Sequence, residues 1–197
     1  MEKIRKQLDF LIEIDKVKGI LRQSLILQGE RRENDAEHSW HMALAAMTLR
    51  EYFMEKIDME KVLKMILIHD IVEIYAGDNP AFGAINHNKF HEELEAANKI
   101  FGMLPGKEKD EFLYLWLEFE EENTPESKFA TACDRFQGFM QNLTSDGHTW
   151  KKYSVHKSQV EKRMEPIKIH LPEVYKKIVE PEIHHYMNRG IILHDLL

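Results

Sequence analysis

The segment LIHDIVEIYAGD, Leu67 to Asp78, is the stretch on which the interpretation of this chain depends. It continues the apolar run KVLKMI, and yet it contains His69, Asp70 and Glu73 and ends on an aspartate. Burying an unpaired charge costs several kcal/mol or forces the group to become neutral. The segment therefore needs something that compensates these side chains, and a metal ion is one such partner.

Apolar residues around this segment recur at spacings of three and four, which predicts a helix from Asp58 to about Tyr75 that stops at Gly77. Each helical residue turns by about 100°, so Asp70 lies about 100° and Glu73 about 40° from His69. The three polar side chains therefore project into one sector of the helix.

The same spacing predicts an all-α fold of about seven helices, without a convincing strand. Asp35 is expected to be the N-cap of the second helix, which follows a loop around Gly29. Thr124 is expected to cap a later helix, and Pro172 and Pro181 to break the last segment. The predicted helices cover residues 2–16, 35–55, 58–75, 89–103, 107–122, 125–143 and 151–195.

Length and composition predict a single soluble domain. The chain has 197 residues, of which 43% are hydrophobic and 31% charged, and it is long enough to bury a substantial core. Its net charge of -7 argues against broad binding to nucleic acid. Cys133 is the single cysteine, which excludes an intramolecular disulfide and a cysteine-based zinc site. No run approaches a membrane span, and MEKIRKQLDF lacks the apolar core of a signal peptide, so we expect a cytoplasmic protein.

Two further residues are candidates to join the polar cluster. His38, in NDAEHSWH, shares a helical face with Met42 and Ala45, and Asp134, in FATACDRFQGFM, lies beside an apolar stripe. A set of two histidines and two aspartates suits manganese, cobalt, iron, nickel or zinc better than calcium. Such a metal lowers the pKa of a bound water and makes it a nucleophile near neutral pH.

Other histidines match similar patterns. A second pair, ILHD at residues 192–195, is interpreted as a surface feature. His41 lies one turn from His38 and could be mistaken for a ligand. His87 and His91 have the spacing of a second metal site, but their polar surroundings favour a solvated helix start.

Three motifs in this order, RRENDAEHSWH, LIHDIVEIYAGD and ATACDRFQGF, resemble the HD-domain superfamily of metal-dependent phosphohydrolases. The pattern of the 5'-deoxynucleotidase branch, E-N-x-x-E-H followed by H-D-x-x-E-x-x-x-G-D, is the most similar. The resemblance covers residues 20–145, which we expect to form the core of one HD-type domain spanning 1–197, with 151–195 as a C-terminal helical extension.

The resemblance implies an all-helical enzyme, commonly a homodimer, that binds one divalent transition metal and removes the 5'-phosphate from (deoxy)nucleoside monophosphates. It implies catalytic roles in proton transfer for Glu73 and Asp78, and it does not say which of them protonates the leaving group. The implied metal ligands are His38, His69, Asp70 and Asp134.

One departure from the family concerns the substrate. The bacterial enzyme has an Arg-Trp pair that contacts phosphate and sugar, whereas GILRQSLILQG contains Arg22 and no tryptophan. The resemblance thus implies that Arg22 binds phosphate and leaves the ribose or deoxyribose preference open.

Two alternative functions also stay open: an HD hydrolase of nucleoside triphosphates, cyclic nucleotides or alarmones, and an inactive metal-binding helical module. The presence of Glu73 and Asp78 speaks against the second.

Overall fold

The computed structural model describes residues 1–84 and 86–195, and it is helical apart from one two-stranded sheet, which confirms the all-α prediction. No helix within these residues combines the length and apolar character that a membrane crossing requires. The helices are α1 Glu2–Ile14, α2 Asp35–Leu49, α3 Met59–Ile68, α4 Glu73–Ala76, α5 Lys89–Phe101, α6 Gly106–Glu121, α7 Pro125–Thr144, α8 His148–Lys152, α9 Lys157–Arg163, α10 Glu165–His170, α11 Pro172–Val174 and α12 Glu180–Asn188.

Helix α7 lies at the centre and packs against α2, α3, α6 and α10. It begins as predicted, because Thr124 and Ser127 form a reciprocal capping box and Pro125 occupies the first turn. Apolar side chains such as Phe129 and Phe139 are fully buried along it. An aspartate on this helix therefore enters the core of the protein.

The predicted loop around Gly29 is in fact a hairpin. Strands β1, Leu21–Ile26, and β2, Arg31–Asn34, pair antiparallel, and the turn between them holds Gln28 and Gly29 at φ of 58° and 102°. The strands are too short and too mixed in polarity to show a clear two-residue period. The hairpin places β1 beside α7.

Helix α2 starts on a different residue from the one predicted. Asn34, not Asp35, is the N-cap: its side chain accepts from the backbone N–H of Glu37, whose carboxylate accepts from Asn34. Because Asn34 satisfies the helix end, Asp35 is the first helical residue and is fully buried. This correction matters for the site described below.

The segment that opened the sequence analysis is divided into three parts. Helix α3, capped by Asp58, passes into a 3₁₀ turn over His69–Val72 and then into α4. The chain ends this helical run at Gly77, whose φ is 78°, as predicted. The 3₁₀ turn is tighter than an α-helix, so the angles expected for an α-helix hold only approximately here.

The C-terminal segment is more broken than expected. The break before Pro172 is confirmed, since Leu171 has φ −130° and ψ 57°. Pro181 causes no break: it lies in the first turn of α12, where a proline needs no N–H, directly after a π-helical turn at Tyr175–Val179. An unpredicted break follows α8, where Ser154 has φ 49°.

Candidate metal centre

Side chains from three elements meet at one point of the core. His38 comes from α2, His69 and Asp70 from the 3₁₀ turn, and Asp134 from α7. The Nε2 atom of His38 lies 3.0 Å from Asp134 Oδ1 and 3.7 Å from Asp70 Oδ2, which in turn lies 3.0 Å from His69 Nε2. The structure thus brings together all four of the ligands that the sequence suggested.

Both histidines are held in the tautomer that a metal ligand requires. His38 Nδ1 donates to Gln137 Oε1 at 2.7 Å, and His69 Nδ1 donates to the carbonyl of Ile66 at 2.8 Å. Because both partners are acceptors, Nδ1 carries the proton in each neutral ring. Each Nε2 then presents a lone pair, and both Nε2 atoms are buried without a hydrogen-bond partner among the described residues.

This arrangement fits a cation. Two Nε2 lone pairs face the carboxylates of Asp70 and Asp134, which is unfavourable unless positive charge compensates them. Arg22 and Arg135 supply part of that charge, since they donate to Asp70 and Asp134 respectively. Ligand atoms of His38, His69 and Asp134 lie within 4.8 Å of one another and could hold a metal ion. Imidazole and carboxylate donors together suit a divalent transition metal.

A proton on His69 would compensate the negative charge of the cluster in part. Burial is the largest single influence and lowers the pKa of His69, but Asp70, Asp134 and the carbonyl of Ile66 together raise it more, to about 8. Burial also opposes ionisation of Asp70, yet His69 and Arg22 hold the pKa of this carboxyl well below its ordinary value. The cluster therefore favours a cation next to Asp70.

A series of buried hydrogen bonds starts at His38 Nδ1, on the side of the ring opposite the candidate metal position. Gln137, which accepts from His38, donates through Nε2 to Glu33 Oε1 at 2.6 Å. Glu33 also accepts from Gln141 Nε2 at 2.9 Å and from Ser24 Oγ at 2.8 Å. Such outer partners fix the orientation of a metal-binding imidazole. Gln137 follows Asp134 by one helical turn, but no sequence motif marked it as a site residue.

Glu73 lies one turn beyond Asp70 and is buried, with Oε2 lacking a hydrogen-bond partner. Burial, together with the negative charges of Asp70 and Asp35, raises its pKa far above the ordinary value. Burial and Asp70 likewise raise the pKa of Asp35 to about 7. Asp35 was missed as a site residue because it looked like a helix cap.

Arg22 reaches this cluster from β1. Its Nη1 donates to Asp70 Oδ2 at 2.6 Å and to Asp35 Oδ1 at 3.3 Å. Asp78, just past Gly77, has a buried Oδ2 without a hydrogen-bond partner. Arg22 and Asp78 line the pocket of the centre together with His69, Asp70, Glu73, Lys89, Glu93, Asp134, Arg135 and Arg163.

A second cavity adjoins this pocket and shares Arg22 and Asp78 with it. Its walls are partly aromatic, and they also contain the short side chain of Ser24 and the amide of Asn142. The aromatic lining residues are Phe82, Phe139, Trp150 and Tyr153. A polar, charged pocket therefore continues into a less polar cavity of similar volume.

The other histidines of the sequence analysis lie outside the cluster. His194 and Asp195 are exposed at the surface, as predicted. His41 points its Nδ1 towards Gln137 Nε2 at 3.4 Å and does not belong to the group that could hold a metal. His91 pairs with Glu95 on the exposed face of α5.

Comparison with known proteins supplies independent information. The family model described as HD domain matches residues 14–175. A predicted metal-dependent phosphohydrolase from Magnetospirillum magnetotacticum MS-1 superposes with a TM-score of 0.89 and 38% identity, over 98% of this chain and 99% of that one.

Two curated relatives match this chain at lower identity. The human 5'-deoxynucleotidase HDDC2 is 27% identical over 139 residues, which are 70% of this chain and 67% of that protein. The Dictyostelium discoideum 5'-deoxynucleotidase HDDC2 is 30% identical over 141 residues, or 68% of this chain and 74% of that protein.

Proposed function

This chain belongs to the HD domain family, and from that membership we propose that it is a metal-dependent phosphohydrolase that removes the 5'-phosphate from (deoxy)nucleoside monophosphates. The observation that carries the proposal is the convergence of His38, His69 and Asp134 within 4.8 Å. The similarity to 5'-deoxynucleotidases supports the substrate class.

The proposed ligands of the metal are His38, His69, Asp70 and Asp134, and the proposed metal is one divalent ion of manganese, cobalt, nickel, iron or zinc. When bound, such an ion supplies a Lewis acid for the phosphate and lowers the pKa of a water that attacks phosphorus. Asp35 and Asp70 hold the guanidinium of Arg22 in place. From there Arg22 offsets the negative charge of the phosphate.

Glu73 and Asp78 are the proposed proton-transfer residues. The raised pKa of Glu73, which follows from burial and from neighbouring carboxylates, favours a protonated side chain at neutral pH. Glu73 is therefore our choice for the donor to the leaving 5'-oxygen. Asp78 lines both the metal pocket and the adjoining cavity, where it can accept a proton or orient the nucleoside.

A phosphate-release screen tests this function. The purified chain, loaded in turn with each candidate metal, is offered deoxy- and ribonucleoside 5'-monophosphates, 3'-monophosphates, triphosphates, cyclic nucleotides and a guanosine tetraphosphate alarmone. We expect metal-dependent release from 5'-monophosphates, and none from an Asp134→Asn variant. Release from triphosphates, cyclic nucleotides or the alarmone alone would replace the proposed substrate class. Lack of turnover with every metal would favour an inactive binding module.

We further propose that the whole chain, residues 1–197, is one HD-type domain and that it acts as a cytoplasmic homodimer. The C-terminal extension shares its core with α7, since α10 packs against α7 and the hydroxyl of Tyr186 donates to the carbonyl of Leu143 at 3.3 Å. A single buried cysteine suits a reducing compartment.

The surface that supports a dimer is on α1 rather than at the C-terminus. The C-terminal Ile192 is buried within the chain, and Leu196 and Leu197 lie outside the described residues. By contrast, Ile4, Leu8, Leu11 and Ile12 of α1 form an exposed apolar stripe. Light scattering should report a dimer at micromolar concentration, and Leu11→Glu should weaken it. A monomeric wild-type chain would refute the dimer.

A further inference from the structure

Three arginines line the pocket of the metal centre, and they differ in what neutralises them. Arg22 is bonded to Asp70 and Asp35, and Arg135 pairs with Asp134 and lies 3.9 Å from Glu122. Arg163 forms neither a salt bridge nor a side-chain hydrogen bond with any residue of the described ranges 1–84 and 86–195. One guanidinium at the site thus remains available for an anion.

The backbone around Arg163 is firmly anchored. Arg163 is the last residue of α9, and its neighbours Val160, Met164 and Ile167 are buried in the core. The following helix, α10, packs against α7, which carries Asp134. The side chain of Arg163 therefore extends to the pocket from an anchored backbone, which favours a ligand-binding role.

The position of Arg163 joins three depressions of the surface. It lines the pocket that contains Asp70 and Asp134, the aromatic cavity beside it, and a third depression, and Arg135 lines all three as well. A molecule with its phosphate at the metal centre and its remainder in the aromatic cavity would thus meet this side chain at the junction.

The charges around Arg163 also favour the binding of an anion. Burial and the positive charge of Arg135 lower the pKa of Arg163, while Asp134 opposes this effect. An arginine nevertheless keeps its proton in proteins, so the cation at this place lacks sufficient compensation. A phosphate dianion would provide it, and the planar guanidinium fork matches two phosphate oxygens.

We propose that Arg163 is a phosphate-binding residue of this site, acting beside Arg22 on the phosphate of a nucleoside monophosphate. The inference rests on the proposed function, and it goes further because the sequence motifs of the family do not include this position. Arg22 shares its charge with two carboxylates, whereas Arg163 can give both arms of its fork to the substrate.

The test compares Arg163→Gln with Lys168→Gln, which removes the same charge from an exposed position on α10 outside the pocket. Binding of inorganic phosphate is measured by calorimetry on manganese-loaded protein, and KM and kcat are measured on thymidine 5'-monophosphate. Removing a hydrogen bond between charged groups typically weakens binding by about 10- to 100-fold. We expect Arg163→Gln to weaken phosphate binding and raise KM on that scale, with unchanged metal content. Lys168→Gln should match the wild type, and Arg163→Lys should lie between.

Three results would overturn the inference. They are wild-type phosphate affinity in Arg163→Gln, loss of metal from Arg163→Gln, and an equal loss of phosphate binding in Lys168→Gln. Should Arg163→Gln fail to fold, Arg163→Lys with wild-type phosphate affinity and KM would overturn it as well. If the wild type binds phosphate but hydrolyses no nucleotide, the proposed function fails while the calorimetry still decides on Arg163.

Discussion

The chain contains the dipeptide His-Asp after two aliphatic residues twice, and the two copies have opposite surroundings. In LIHD, residues 67–70, the imidazole is buried and its Nε2 lone pair faces the carboxylate of Asp70. In ILHD, residues 192–195, both side chains are exposed, and Asp195 accepts a hydrogen bond from the hydroxyl of Ser158. Two nearly identical tetrapeptides thus form part of a candidate metal centre in one place and an exposed surface segment in the other.

The two pairs differ in the side chains that other elements of the fold place next to them. His69 and Asp70 are met by His38 from α2 and Asp134 from α7. The second pair meets His156, whose Nδ1 donates to the carbonyl of His194, and no further carboxylate of the described residues pairs with it. A short motif therefore acquires chemistry only when other elements converge on it in a buried place.

The largest effect should come from removing the buried pair. We expect His69→Ala and Asp70→Ala each to lose the metal and about 1,000-fold or more in turnover, because the metal provides several kcal/mol of transition-state stabilisation. The matched variants His194→Ala and Asp195→Ala should keep both. Elemental analysis of the purified proteins and steady-state kinetics measure these effects. Equal metal content in all four variants would remove the distinction between the two pairs.

Glu73 and Asp78 sharpen the comparison, since both carboxylates line the same pocket as the buried pair. Glu73→Gln and Asp78→Asn keep size and remove the titratable group, so each should retain metal and nucleotide binding and lose about 100- to 10,000-fold in turnover. Near-wild-type turnover would exclude the residue from proton transfer. Loss of metal would instead make that residue a ligand.

The hydrogen-bond chain behind His38 should have a smaller effect. Gln137→Leu removes the acceptor for His38 Nδ1, and loss of such a partner typically lowers metal affinity about 10- to 100-fold. Gln141→Leu is the matched control, because Gln141 also donates to Glu33 but does not contact His38. Competition with a chelator gives both affinities. Equal losses in the two variants would show that Glu33, and not the orientation of His38, matters.

The smallest effect concerns the stability of metal-free protein. Because the pKa of Glu73 is raised above its ordinary value of 4.5, the unfolded chain loses this proton first, and stability falls as pH rises above that value. Glu73→Gln removes this loss, so its advantage in Tm should grow between about pH 5 and pH 8. For a chain of this size each kcal/mol corresponds to about 2–4 °C. Scanning calorimetry measures this trend, and a constant difference in Tm between Glu73→Gln and the wild type over this range would contradict it.

Much of this molecule could be predicted from local patterns. The three- and four-residue spacing predicted the helical class, and Thr124 and Gly77 marked a helix start and a helix end correctly. The ligand-type residues were recognisable because polar groups in apolar segments stand out, and the structure brings all four together. Residue spacing, helix caps and polar residues in apolar segments are properties of single segments, and they can be identified from the local sequence alone.

What escaped prediction depends on contacts between segments. The β1–β2 hairpin packs beside α7, a contact that the local sequence does not encode. Asp35 resembles a cap, and only the completed fold shows that Asn34 caps α2 and that Asp35 faces Arg22 and Glu73. Arg163 lies 29 positions beyond Asp134 in the sequence, so its place at the pocket follows from the packing of α9 and α10.

The most direct test of the difference between the two His-Asp pairs is anomalous diffraction from crystals soaked in manganese or cobalt, collected at the absorption edge of the metal. We predict one strong peak per chain, within bonding distance of His38 Nε2, His69 Nε2 and the carboxylates of Asp70 and Asp134, and no peak beside His194. A map without a peak at the buried cluster, or with its strongest peak at His194 and Asp195, would contradict the account.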